Sequence, residues 1–109
     1  MFHAQTIAHE FATAVCLIAA VLKLRDHHLA DQLKRAATSA VLNLAEGNQR
    51  AGRDRVARFR IASGECAEAR AALRLAVDAG HVAADAVGDA LALGDRLSAM
   101  LWRLTHPRR

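Results

Sequence analysis

Tyrosine is absent from this chain, proline occurs once (Pro107), cysteine twice, and aromatic residues make up only 4% of its 109 residues. No β-branched run of strand length occurs, which removes the usual material of a sheet. Without proline or breaker clusters inside the apolar segments, long helices are free to form. Two cysteines, Cys16 and Cys66, each sit inside an apolar pattern with neither a Cys-x-x-Cys partner nor a nearby histidine. They read as buried free thiols suited to a reducing compartment, not as a disulfide framework or a nucleophile. The longest apolar run, residues 11–22, contains Thr13 and falls short of the roughly 20 residues of a membrane span. Nor does Met1-Phe2-His3-Ala4-Gln5 carry the Lys or Arg of a secretory leader. The expectation is a soluble cytoplasmic chain with no membrane contact.

Metal and cofactor chemistry are equally thin. His3 and His9 are six apart, His27 and His28 are adjacent and diverge on a helix, and His81 and His106 stand alone. No His-Glu-x-x-His or paired Glu-x-x-His pattern and no glycine-rich phosphate loop is present, so no metal, cofactor or catalytic residue is assigned.

What the chain does have is alanine and leucine at helical spacing. At this length it forms one domain, residues 1–109, able to fold without disulfides or metal. Ile7, Phe11, Val15, Ile18 and Leu22 recur by threes and fours over a first helix from about 3 to 25. Ala8, Ala12, Leu17, Ala19 and Val21 widen that stripe, and a helix apolar over most of its circumference needs cover on more than one side. This is a first hint of self-association. Asp26 is a candidate N-cap for a second helix, about 28–46, with Leu29, Leu33, Ala36, Ala37, Ala40, Val41 and Leu44 inward and Gly47 as a left-handed stop.

A third helix, about 53–79, carries Val56, Phe59, Ser63, Cys66, Arg70, Leu73 and Val77 as its seam, flanked by a second stripe including Ile61, Ala69 and Leu75, and ends at Gly80. A fourth starts near Asp85, buries Val87, Leu91, Gly94, Leu97, Leu101 and Leu104, and stops at Pro107. Gly88 and Gly94 inside it suggest close helix approach, since each costs about 1 kcal/mol relative to alanine. Short connections between four helices give an all-α, up-down-up-down antiparallel bundle.

Two polar features interrupt this plan. Arg35, Ser39, Asn43 and Glu46 share one face of the second helix, while Arg60, Glu65 and Glu68 line the third. If these stripes face each other they close into a buried network, because unpaired buried charge is costly. A solvated face is the plainer alternative, although Ala36, Ala62 and Gly64 between the polar groups weigh against it. Pairing of Glu46, Glu65 and Glu68 with Arg35 and Arg60 outweighs acid–base chemistry.

The second feature is an arginine cluster: Arg50, Arg53, Arg55, Arg58 and Arg60, opposed within that window only by Asp54. The whole chain carries a formal +4, and every basic residue except Lys23 and Lys34 is arginine. Arginines at a helix start add to its positive potential and suit bidentate phosphate contacts. Arg50, Arg53, Arg55 and Arg58 are therefore candidate RNA- or DNA-backbone ligands. The competing use is solubilising charge with inter-subunit bridges to Asp31, Asp54 or Asp78. Phe2, Phe11, Phe59 and Trp102 are the only aromatics and fall mostly on apolar faces, so shape and charge would dominate over base stacking.

Leu33, Arg35-Ala36-Ala37, Ser39, Asn43, Ala45-Glu46-Gly47, Arg50, Phe59, Ile61-Ala62, Gly64 and Glu68 together resemble the four-helix-bundle family also called 23S rRNA intervening-sequence proteins. Accessory proteins of diversity-generating retroelements are similar at greater distance. The likeness extends loosely to Gly80-His81-Val82. Glu65 stands where members commonly carry serine, and Asp26 lies in a connection that usually holds proline. What the resemblance implies is a homopentamer of four-helix bundles forming a short barrel, with no established enzymatic activity. Some relatives bind nucleic acid or a reverse transcriptase through a basic surface. Two roles follow as expectations: an oligomeric binder of nucleic-acid backbone, or a scaffold for a protein partner without nucleic-acid contact.

Overall fold

In a computed structural model describing residues 3–106, the apolar stripes become four helices: α1 (His3–Leu22), α2 (His27–Asn48), α3 (Gly52–Asp78) and α4 (Ala84–Thr105). No strand occurs among the described residues. Each helix packs against its two neighbours, α1 also against α4, so the bundle closes into a square of about 45 × 21 × 20 Å. The chain alternates direction. Gln5 at the start of α1 accepts a hydrogen bond from Asn48 at the end of α2 (3.1 Å), and at the opposite end His81 lies 3.6 Å from Asp26.

Helix ends follow local chemistry. Asp26 caps α2 as expected, its Oδ1 accepting from the Leu29 amide at 3.0 Å. Gly80 adopts φ 77° and closes α3: its amide donates to Val77 O and that of His81 to Ala76 O, both at 2.9 Å. α1 ends at Leu22 instead of 25, because Leu24, Arg25 and Asp26 turn back on Val21 and Leu22 carbonyls.

Gly47 is not the left-handed stop that its position suggests. It lies within α2, and the positive φ of this connection belongs to Gly52 (60°). Gly47 is instead a contact glycine: a Cβ there would meet Phe59 ring carbons at 2.6 and 2.8 Å. Gly94 serves α4 in the same way, with Phe11 and Arg70 carbons each 2.9 Å from its would-be Cβ. Gly88, expected to do likewise, is exposed, with nothing within 4 Å of a Cβ.

The core is built from Phe11, Val15 and Leu22 of α1, Leu33 and Leu44 of α2, Phe59, Cys66 and Leu73 of α3, and Leu97 and Leu101 of α4, all fully buried. Alanines 36, 37, 62, 69 and 76 between them let the helices approach closely. By length and composition alone α1 would reach across a membrane, but its Ile7, Phe11, Val15 and Leu22 face is seated in this core. Leu17, Val21, Leu24 and Leu42 remain exposed, and Leu17 and Leu42 line one shallow hollow of about 310 Å³ between α1 and α2.

Candidate nucleic-acid interface

The two polar stripes meet along the outer edge of the α2–α3 contact and do not close into a buried network. Arg35 Nη2 lies 3.5 Å from Glu68 Oε2, with side chains 61% and 44% exposed, and also donates to Gln32 Oε1 at 2.6 Å. Asn43 donates to Ser39 O and Oγ at 2.9 and 3.0 Å, and accepts from Arg58 Nη1 at 3.3 Å. Glu46 turns to Arg50 on its own helix end. Arg60 and Glu65 make no hydrogen bond or ion pair among the described residues. Arg35, Ser39 and Asn43 instead line an open hollow of about 500 Å³ on the outer face of α2. The inward-locked seam is corrected to three separate surface contacts. The reason is register: Phe59 seated on Gly47 fills the interior between α2 and α3 at this end, and the polar groups are left at its rim.

The arginine cluster divides. Arg50 is claimed by two carboxylates: Nε and Nη2 donate to Glu46 Oε1 (3.1 and 2.5 Å), and Nη1 to Asp54 Oδ2 (2.9 Å). The Arg50 hydrogen bonds hold the Glu46 carboxyl below its ordinary pKa, and the same contacts, with Asp54 nearby, raise that of Arg50. Arg58 is held by Asn43, and the Arg55 guanidinium carbon sits 5.1 Å from the centre of the Phe59 ring. Arg53 and Arg60 are exposed. Thus Arg53, Arg55, Arg58 and Arg60 reach solvent without an ion pair among the described residues. Arg50, a leading sequence candidate, is largely neutralised. Arg60, assigned by sequence to the seam, takes its place.

Further along α3 arginine is used differently. Arg70 Nη2 binds Asp95 Oδ1 at 2.6 Å, and Arg74 reaches the same oxygen at 3.9 Å. The Arg70 side chain is only 22% exposed, and its Nε is buried without a hydrogen-bond partner. Beside it Cys66 Sγ donates to Gly94 O at 3.5 Å, and burial pushes this thiol up to about 11. Such a thiol is inert at neutral pH. Cys16 is only half-buried, not fully buried as its pattern suggests. Both cysteines are free.

Sequence reasoning assigned no role to Asp95 or to Trp102. Asp95 was detectable as the acid following Gly94. Trp102 follows Leu101 and so falls off the 94–97–101 stripe, and in the fold it is 59% exposed. No cluster of three His, Cys, Asp or Glu fit for a metal occurs among the described residues.

These features define a class: an all-helical bundle with one arginine-rich end and an outward polar edge. Comparison then places the chain. The family model described as 23S rRNA-intervening sequence protein matches residues 3–103, and the chain belongs to that family. Its fold is similar to that of a protein of unknown function from the S23 ribosomal protein family of Bacteroides thetaiotaomicron. The two are 19% identical, the match covers 94% of this chain and 97% of that one, and the TM-score is 0.86. At that identity the likeness speaks for the fold alone. No curated protein matches significantly.

Proposed function

We propose that this protein is a non-enzymatic, self-associating cytoplasmic binding protein that holds RNA or DNA backbone at the end of the bundle where α2 meets α3. One observation carries the reading: Arg53, Arg55, Arg58 and Arg60 all belong to the first turns of α3 at that end, with no carboxylate paired to any of them among the described residues. Arg35, Arg50, Arg70 and Arg74 each have a carboxylate partner, and Arg25, Arg96 and Arg103 stand exposed without one among the described residues but singly, so it is the clustering of four that distinguishes this end. The N-cap of α3, Ala51, offers no side-chain cap, so the helix's first amides add donors beside the guanidiniums. Self-association is supported by exposed Leu17, Val21, Leu24 and Leu42, which a second copy would cover. Five copies is the number the family resemblance implies.

Binding through four arginines is salt-sensitive, with a slope of log K against log salt of roughly −3 to −4 on duplex DNA. Replacing Arg53 and Arg55 by Glu should abolish binding at moderate salt while leaving the solution mass unchanged. A flat salt response, or no binding at low ionic strength, removes this reading. The second reading, a scaffold for a protein partner, rests on the exposed leucines. It gains if the charge-reversed protein loses assembly instead of binding.

A further inference from the structure

We infer that the nucleic acid held at this end is single-stranded, with a base stacked on Trp102. This inference rests on the arginine end being a phosphate-binding surface and adds to it the class of strand. Because the helices alternate in direction, the end of α4 lies at the same end of the bundle as the start of α3. Trp102 follows Asp95 by seven residues, two helical turns, and Asp95 is the residue through which α4 meets Arg70 and Arg74 of α3. Trp102 therefore lies on the α3-facing side of α4, further toward the arginine end. On α3 the same heptad step leads back from Arg74 through Ala67 to Arg60 and Arg53. In the antiparallel register set by the Asp95 contacts, Arg60 falls on the order of 5–10 Å along the axis from the level of Trp102. A guanidinium spans that interval.

The exposed edge between α3 and α4 thus carries Arg53, Arg60 and an indole more than half in solvent. Among the described residues the carboxylate that the contacts place on this edge, Asp95, is already occupied by Arg70 and Arg74. The indole is also held in place. His106 stacks on it with ring centres 4.3 Å apart and planes 13° from parallel, and His106 Nδ1 lies 2.9 Å from the Trp102 carbonyl oxygen. A flat, pre-ordered ring beside unpaired arginines is what a strand with unpaired bases can use and a duplex cannot, since duplex bases are already stacked. The positive charge fits a polyanion, and the aromatic fits its bases.

The chain contains one tryptophan and no tyrosine, so intrinsic fluorescence reports on Trp102 alone. The test titrates the intact protein with oligo(dT), with oligo(rU) and with a duplex of equal length. Both single strands should quench the indole saturably and salt-dependently, and the duplex should bind more weakly without quenching. Trp102→Ala should weaken oligo(dT) about tenfold or more and leave duplex affinity unchanged, while Trp102→Phe should keep most of the single-strand affinity. Arg60→Ala should weaken both ligands. Equal binding of duplex and single strand with no quenching overturns this inference and leaves the backbone reading standing. No binding of any probe overturns both. A changed solution mass for Trp102→Ala, by light scattering, would make the indole a contact between copies and overturn the inference.

Discussion

The two halves of α3 use the same residue type for opposite ends. In the first half Arg53, Arg55, Arg58 and Arg60 face solvent around a phenylalanine seated on a glycine of α2. In the second half Arg70 is itself the group seated on a glycine, that of α4, with its guanidinium tied to Asp95. The difference is made by the neighbouring helix: α4 supplies a carboxylate at the right level to Arg70, whereas the one α2 supplies, Glu46, is taken by Arg50. An arginine surrounded by small residues is thus a packing element or an unpaired surface charge according to one residue on another helix.

The largest expected effect tests the two seats. Gly47→Ala drives a methyl into the fully buried Phe59 ring, and Gly94→Ala into Phe11 and the Arg70 stem. Alanine gains about 1 kcal/mol of helix propensity, but overpacking against an immobile ring costs more, leaving a net loss of about 1–2 kcal/mol for Gly47→Ala. Gly94→Ala should lose somewhat less, since the Arg70 stem can bend aside. Gly64→Ala and Gly88→Ala meet nothing within 4 Å and should gain about 0.5–1 kcal/mol. Urea unfolding of the four variants would show opposite signs, and stabilisation by Gly47→Ala would refute the close seat of Phe59.

Next comes the tied arginine. Asp95→Ala leaves a mostly buried guanidinium without its main partner and should cost about 1–2 kcal/mol. Arg70→Met keeps the stem against Gly94, removes an unsatisfied Nε and should stay within about 1 kcal/mol of the parent. Arg53→Met and Arg60→Met, with no fold contact to lose, should stay within about 0.5 kcal/mol while weakening nucleic-acid binding. If Arg60→Met destabilises the fold as much as Asp95→Ala does, the two halves are not different in kind.

A smaller effect comes from the thiol beside Arg70. Cys66 ionises near 11 in the fold and near the ordinary thiol value of about 8.5 when unfolded. Between those values the unfolded chain has released a proton that the folded chain keeps, so stability falls as pH rises through that window. Cys66→Ala should flatten this alkaline slope, and a thiol reagent at neutral pH should label Cys16 and spare Cys66. Equal labelling would contradict the burial of Cys66.

Four helices, the Asp26 cap and the Gly80 stop were legible because each is local: periodicity, a cap and a left-handed glycine need no knowledge of a partner helix. Gly47 was not, since a terminal stop and a packing contact ask for the same residue, and Gly88 was not, since its spacing does not tell a buried face from an exposed one. The inward seam failed for a similar reason. Spacing puts Arg35, Ser39, Asn43 and Glu46 on one face, but the angle of that face to α3 depends on Phe59 filling the space beside Gly47. Five arginines within residues 50–60 were obvious, whereas the removal of Arg50 by Glu46 and Asp54 needed coordinates. Trp102 was readable as exposed, since it stands one position off the leucine stripe.

The smallest effect concerns that neutralised arginine. Glu46 is exposed and its pKa is lowered by Arg50, so the stability it adds is present above the ordinary carboxylate value and is lost as pH falls through its folded value. Solvent screening keeps this contribution slight, and an acid titration of Glu46→Gln should differ little from the parent. Its consequence for binding should be easier to see. Glu46→Gln combined with Asp54→Asn releases Arg50 from both carboxylates and turns a fifth guanidinium toward the ligand. The salt slope should then steepen by about one and affinity at low salt should rise, with stability hardly altered. An unchanged slope would mean that Arg50 points away from the strand even when free, and would confine the interface to the α3–α4 edge.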